Sequence, residues 1–334
     1  MTTAVPDWRP AATLAVLATR ARLLATTRAF FAARGVLEVE TPALVAAPVS
    51  DPQLRNIVVQ LGGGERQAYL HTSPEYHMKR LLAAGAPDIY QLGKVWRDGE
   101  QGTRHAPEFT LLEWYRHGFG LADLAAETAA LLGELAVAAG APAPRATWTT
   151  YRDLLLDTTG LDPLAAATPV IRARACGLLG DALGPGLAAS LGDDRLAWLD
   201  LLVTHVVTPA LAGRGLVVVA RYPADQAMLA RLAADDPAVA ERFEVFWDGL
   251  EVANGYLELR DPVEQAARFA ADRARRRALG APDALPDARL LAALAAGLPD
   301  CAGVAVGFDR AVMRAAGVDA IEGVLSFLPA EPPT

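Results

Sequence analysis

Between His71 and Tyr115 the chain reads HTSPEYHMKRLLAAGAPDIYQLGKVWRDGEQGTRHAPEFTLLEWY, a span that gathers the residue types needed to hold a nucleotide and a cationic substrate. Arg97 stands at the end of one strand candidate, and His105 and Phe109 stand at the start of the next. A hairpin would aim all three at one ligand. Arginine grips phosphate through two parallel charge-assisted hydrogen bonds, and a phenylalanine ring offers a stacking face to a purine. That combination suits ATP. Taken alone, the same residues also fit an exposed hairpin carrying ordinary salt bridges.

Glu244, Glu251 and Glu258 recur every seven residues. If Asp248-Gly249 reverses the chain, the first two sit across adjacent strands, and paired carboxylates beside a triphosphate are the usual way to hold Mg²⁺. Along one strand the same interval would place successive carboxylates on opposite faces, so this reading requires the hairpin. Without it they are solvent-facing acids. Asn254-Gly255 reads either as a plain turn or as a bulged strand approaching a ligand. Gly307-Phe308-Asp309-Arg310 is a third cluster: a glycine at a strand end admits close backbone approach, and Arg310 opens the following helix, where anions are already favoured. Ser73-Pro74-Glu75 has a complete structural explanation as helix cap, first-turn proline and dipole-complementing acid.

The elements that must position these residues follow from periodicity and turn chemistry. A helix is expected from Thr13 to Ala33, ended by Gly35, and VLEVETP from Val36 alternates like a half-buried strand that Pro42 stops. Further strands are expected at 56–61, 67–72, 89–97, 108–116, 216–223 and within 242–260, with Asp248-Gly249 as a turn. Residues 121–139 and 151–213 read as helical, so a helical insertion is expected over about 121–213, and residues 1–12 read as a loose arm. Asp261-Pro262-Val263-Glu264 spells a capping box at the start of another helix. Residues 303–310 form a strand running into a helix. Antiparallel hairpins with grouped helices predict an α+β domain, an antiparallel sheet flanked by helices, and not a doubly wound parallel one.

Composition bounds the possibilities. At 334 residues, about half of them apolar, the chain suffices for one large domain or two closely joined ones, and a single domain is expected over residues 13–334. The net charge of −8 argues against a broad nucleic-acid footprint. Cys176 and Cys301 are far apart, which fits a reducing compartment and excludes a Cys-rich zinc site. With no signal peptide or membrane span evident, the expectation is a soluble cytoplasmic protein without membrane contact. Arg273, Arg275, Arg276 and Arg277 form a basic run that reads as a solvated helix face or as a surface for an acidic partner.

Together the three clusters resemble the signature motifs of class II aminoacyl-tRNA synthetases, in the lysine-specific branch, over roughly residues 14–328. Gly35 to Pro42 is similar to motif 1, Val95 to Phe109 to motif 2 and Gly303 to Arg310 to motif 3, and the strings TSPEYHMKRLL, HAPEFTLLEWY and GLEVANGYLEL carry the likeness. Motif 1 begins almost at once, so no anticodon-binding domain and no tRNA anticodon binding are expected. Within the family the chain is most similar to the truncated lysyl-tRNA synthetase paralogues that join lysine or (R)-β-lysine to a lysine side chain of translation elongation factor P. The resemblance implies ATP and Mg²⁺ as cofactors, elongation factor P as protein substrate, and a homodimer built through motif 1.

The same resemblance implies residue roles. Arg97 binds the α-phosphate and Arg310 and His105 the outer phosphates, with Arg97 and Arg310 counted as catalytic. Phe109 stacks on adenine, and Asp98, Glu100, Val252 and Gly307 complete the ATP site. Glu244 and Glu251 hold Mg²⁺. Glu75 receives the substrate amino group near the reacting carboxylate, Glu113, Tyr115 and Glu258 form the pocket for its distal ammonium, and Ser73, Pro74 and Asn254 are further substrate-binding positions. Ala305 stands where lysyl-tRNA synthetases generally carry glycine, and one methyl group in a pocket shifts amino-acid preference by roughly 1–3 kcal/mol; ordinary strand packing is the other reading. Two positions depart from the family pattern: Gly99 replaces the motif 2 acid, with Glu100 one residue later, and Ala106 replaces an asparagine. Two alternatives therefore stay open, namely a catalytically degenerate regulatory paralogue, and an adenylating enzyme that charges tRNA or a carrier protein.

Overall fold

The computed structural model describes residues 8–180 and 183–328. The first seven residues of the expected arm and residues 329–334 lie outside this range. Ala11 and Ala12 are not loose: their N–H groups donate to the carbonyls of Ser326 and Leu325, and Ala12 is buried. Thr13 then caps α1 (Leu14–Ala32) by accepting from the Val16 N–H, and Gly35, at φ 67°, turns the chain out of the helix.

The strand expected from Val36 shortens to β1 (Leu37–Glu38), where Leu37 is 51% exposed. Next come β2 (Leu44–Val45), β3 (Val58–Leu61), β4 (Arg66–Leu70), α2 (Glu75–Ala83), β5 (Ile89–Trp96) and β6 (Glu108–His117). They are followed by α3 (Leu121–Ala138), β7 (Ala146–Thr150), α4 (Tyr151–Thr159), α5 (Thr168–Leu179), α6 (Pro185–Leu191), α7 (Arg195–Leu202) and α8 (Thr208–Ala210). The chain continues through β8 (Leu216–Pro223), β9 (Val239–Trp247), β10 (Leu250–Leu257), α9 (Pro262–Ala278), α10 (Ala288–Gly297), β11 (Cys301–Gly307) and α11 (Phe308–Ala316).

Among the described residues eight strands form one sheet in the order β1-β5-β6-β11-β10-β9-β8-β7, beside a smaller β2-β4-β3 sheet. The six central strands pair antiparallel, as the hairpin pattern predicts, whereas β1 on β5 and β7 on β8 pair in parallel at the two edges. Strand β7 lacks a sequence signal, being five residues of edge strand with Trp148 half exposed.

Period-two alternation divides the sheet into two faces. On one face Leu112, Trp114, Val245, Val304 and Val306 pack under α1, α3 and α11. The expected helical block over 121–213 therefore divides, because α3 belongs to this main core, whereas α4, α5 and α7 cover Val217, Val219 and Phe246 on the opposite face. At the other end of that opposite face, α2, α9 and α10 pack on Ile89, Tyr115 and Cys301. The middle strip between these two helical groups is left open.

Two contacts fix this frame. Asp309, buried in the first turn of α11, accepts from the Thr110 N–H at 2.7 Å and pairs with Arg20 Nη1 at 2.5 Å, tying α11 to β6 and α1. Replacing Asp309 with alanine would leave the largely buried Arg20 guanidinium without a carboxylate, still holding the Thr110 hydroxyl and the Phe308 ring. Urea unfolding should show a loss of about 3–5 kcal/mol. At α9, Asp261 caps Val263 and Glu264 as expected, but Glu264 does not return the contact, because its carboxylate pairs with Arg268 one turn on.

The basic run on α9 is largely spent inside the fold. Arg273 pairs with Asp283, Arg275 pairs with Asp194 of the α4–α7 unit, and buried Arg276 donates to the carbonyls of Asp51, Leu54 and Pro282. No described helix is long and apolar enough to cross a membrane.

Candidate active site

The open strip is the floor of a cleft of about 880 Å³. Strand register explains why its side chains meet. Glu244 on β9 lies opposite Asn254 on β10, Asn254 opposite Ala305 on β11, and Ala305 opposite Glu113 on β6. Directly paired residues project to the same face, so these four form one row across four strands. Ala305 thus places its methyl group between Glu113 and Asn254 on the cleft floor. Two residues along, Gly303 lies opposite both Tyr115 and Tyr256. An added Cβ there would stand 2.3 Å from the Tyr115 ring and 2.5 Å from Glu258 Oε1, so the absence of a side chain is what lets both groups pack against the strand.

One end of the cleft is rich in carboxylates. Glu75 opens α2, with its N–H near Ser73 Oγ, and Glu258 and Glu113 are buried. The Tyr115 hydroxyl donates to Glu113 at 2.7 Å. Burial, with the nearby charges of Glu75 and Glu258, pushes Glu113 up to about 8, and burial with Glu75 pushes Glu258 up to about 7. The Nζ of Lys79 lies 2.7 Å from Glu75 Oε1 and 2.5 Å from Glu258 Oε2. Burial works against this ammonium, but the two carboxylates outweigh it and hold the group above the ordinary lysine value.

These raised carboxylates give the free protein a pH dependence. A group whose folded value exceeds its unfolded one contributes stability at low pH that is lost as pH rises through the folded value. The melting temperature of the ligand-free protein should therefore fall from about pH 4.5 to about pH 8 and level off above it. A diammonium ligand such as lysine should reverse the fall, stabilising more at the alkaline end, where the carboxylates it meets have lost their protons. Thermal shift assays across that range check both halves.

The other end of the cleft is cationic. Arg97 leaves β5 with its guanidinium 5.0 Å from the Phe109 ring, Nη1 3.4 Å from Glu100 Oε1, and a buried Nε without a protein partner. Arg310, at the start of α11, donates to the Glu251 carbonyl at 3.0 Å, and its Nη2 lies 2.6 Å from His105 Nε2. His105 is held below its ordinary value by desolvation of its inner side and by the Arg310 charge. Its neutral ring nitrogen can then face the guanidinium. Ala106 is buried, and Glu100 is engaged by Arg97.

The two expected metal ligands lie on adjacent strands but not opposite each other. Glu251 pairs across with Phe246, and the register shifts between Glu251 and Ala253. The bulge therefore falls at Val252 and not at Asn254-Gly255. Gly255 is required by packing, since a Cβ there would sit 2.5 Å from the Phe243 ring. Glu244 is buried, with Arg242 Nη2 2.5 Å from one oxygen and the Tyr222 hydroxyl 2.6 Å from the other, and burial pushes it up to about 7.

Of the residues expected at the site, Ser73, Glu75, Arg97, Glu100, His105, Phe109, Glu113, Tyr115, Glu244, Glu251, Val252, Asn254, Glu258, Ala305, Gly307 and Arg310 all line this one cleft. Pro74 and Asp98 do not. Pro74 is buried at the cap of α2, and Asp98 is exposed, with its N–H donating to the Arg55 carbonyl. Lys79, Arg242 and Tyr222 are among the polar side chains at the site that the sequence alone did not single out. The available signals were the i,i+4 spacing of Glu75 and Lys79 on a helix and the i,i+2 spacing of Arg242 and Glu244 on a strand.

The chain matches the family described as tRNA synthetases class II (D, K and N) over residues 2–148 and 205–331. The unmatched stretch between these segments carries α4 to α7. The chain is similar to the elongation factor P (R)-β-lysine ligase of Vibrio cholerae, with 44% identity over 96% of this chain and 97% of that one. The proteins of the same name from Proteus mirabilis and Salmonella typhi are each 42% identical; the first comparison covers 97% of this chain and 98% of that one, and the second 96% and 97%.

Proposed function

Because this chain belongs to the class II aminoacyl-tRNA synthetase family, we propose that it activates lysine or (R)-β-lysine with ATP and transfers it to a lysine side chain of elongation factor P. The observation that carries this reading is the polarity of the cleft: carboxylates at one end, arginines at the other, joined by the row Glu113-Ala305-Asn254-Glu244. An amino acid with two ammonium groups and one carboxylate fits that gradient in one direction only.

In the first step a carboxylate oxygen of the amino acid attacks the α-phosphorus of ATP, the bond to the bridging oxygen breaks, and pyrophosphate leaves. Arg97, with its unsatisfied Nε, meets the charge that builds on the α-phosphate, and Arg310 with neutral His105 receives the outer phosphates. Phe109 supplies the adenine face. In the second step the acceptor amine attacks the carbonyl carbon, the bond to the phosphate oxygen breaks, AMP leaves and the amine gives up a proton. The enzyme needs no covalent nucleophile; orientation and charge stabilisation suffice.

Glu251 and Glu244 are suited to Mg²⁺, which needs only one or two protein carboxylates when phosphates and water complete its shell. Half-exposed Glu251 is open to the cleft, and Glu244 is a buried acid whose ionised form a further cation would favour. When bound, the ion would neutralise phosphate charge. Pairing of two chains through the motif 1 segment is consistent with the exposed edge at Leu37 and is testable by sedimentation.

Incubation with labelled lysine or (R)-β-lysine, ATP and either elongation factor P or bulk tRNA tests the acceptor. Label on the factor, lost when its acceptor lysine is replaced by arginine, supports the proposal. Label on tRNA alone overturns it.

A further inference from the structure

The amino-acid end of the cleft carries a positive charge of its own. Lys79 and Glu258 are each only 1% exposed, and the Lys79 ammonium bridges Glu258 and Glu75. Its neighbours on α2, Met78 and Leu82, are core residues, and an apolar side chain would fill the same space without the desolvation that a buried ammonium incurs. Packing gives no reason for a cation here.

Charge counting does. Glu75, Glu113 and Glu258 bring up to three negative charges to one pocket, and Lys79 supplies one fixed positive charge. With all three ionised, two positive charges are wanting, which is what a diamino acid brings on its two ammonium groups. We propose that Lys79 is a positioning residue for the substrate: by bridging Glu75 and Glu258 it sets the separation of the two ammonium subsites and keeps both carboxylates ready to receive them. The inference rests on the adenylation reading above and deepens it, because it makes the pocket selective for dications over amino acids with a single amine.

The groups whose charge or dipole meets the ammonium are Glu75 and Tyr76 on α2, Glu113 on β6, Glu258 after β10, and Cys301 on β11. None of the others is a cation. Removing Lys79 would leave the carboxylates to repel one another and take up protons.

The test is ATP–pyrophosphate exchange by Lys79→Met and Lys79→Arg, with lysine and (R)-β-lysine, over a range of pH. For Lys79→Met the amino-acid KM should rise on the order of 100-fold while KM for ATP stays unchanged. The alkaline rise of 1/KM should move about 1–3 pH units higher. Lys79→Arg keeps the charge but displaces the carboxylates, so its pH profile should stay in place while its KM rises. A folded Lys79→Met with wild-type KM and pH profile overturns the inference alone. If Lys79→Met does not fold, Lys79→Arg decides, and a wild-type KM there overturns it. Absence of exchange by the wild-type protein with any amino acid overturns the adenylation reading, and this inference with it.

Discussion

Replacing Arg97 with alanine should slow amino-acid-dependent ATP–pyrophosphate exchange on the order of 10³-fold, with little change in KM for the amino acid. The size of the effect follows from where the side chain stands. Its guanidinium lies over Phe109, it is only loosely held by Glu100 at 3.4 Å, and its buried Nε has no protein partner. A buried donor without a partner is costly in the free protein, and an α-phosphate oxygen would satisfy it. The phosphate gains charge-assisted hydrogen bonds as the pentacoordinate centre forms, so the loss should fall on kcat. Arg97→Lys should not restore the rate, since an ammonium cannot make two parallel bonds to one phosphate. Steady-state exchange kinetics of both variants check this.

Gly303→Ala should abolish productive amino-acid binding while sparing the nucleotide. The added Cβ would meet the Tyr115 ring at 2.3 Å and Glu258 Oε1 at 2.5 Å, and both groups are buried and held by hydrogen bonds or ion pairs. Neither is the free end of a flexible side chain. Something in the pocket must shift, at an overpacking cost of roughly 1–3 kcal/mol in stability. The shift disturbs two of the groups proposed to receive the distal ammonium, so KM for lysine should rise at least on the order of 100-fold. Titration with a non-hydrolysable ATP analogue should give a nearly unchanged Kd, because Arg97, Phe109 and Arg310 lie toward the other end of the cleft. Ala305→Gly is the milder companion: removing one methyl between Glu113 and Asn254 should alter the ratio of kcat/KM for the two lysine isomers by about 10- to 200-fold and leave ATP use intact.

Local chemistry in the sequence was enough to place most of this. The Asp248-Gly249 turn, the β5–β6 hairpin and the strand running into Arg310 are written in residues whose preferences do not depend on distant partners. What was hidden depends on register and burial. Alternation tells which strand positions share a face, but not that Glu113, Ala305, Asn254 and Glu244 fall in one row, because pairing register is set by the whole sheet. Lys79 reads as a surface lysine since helical lysines usually are, and only its Glu75 neighbour one turn back hints otherwise. The arginines of α9 illustrate the converse. A charge run suggested a free face, yet three of its four members are bound within the fold. Strand β7 escaped because a short parallel edge strand carries no alternation strong enough to see.

The most direct measurement is exchange of labelled pyrophosphate into ATP by the purified protein, with each common amino acid and (R)-β-lysine offered in turn. Exchange that requires a lysine isomer, and falls away with amino acids bearing a single amine, is the expected result. Exchange driven equally by monoamino acids, or none at all, would contradict the proposal that this cleft forms a lysyl-type adenylate.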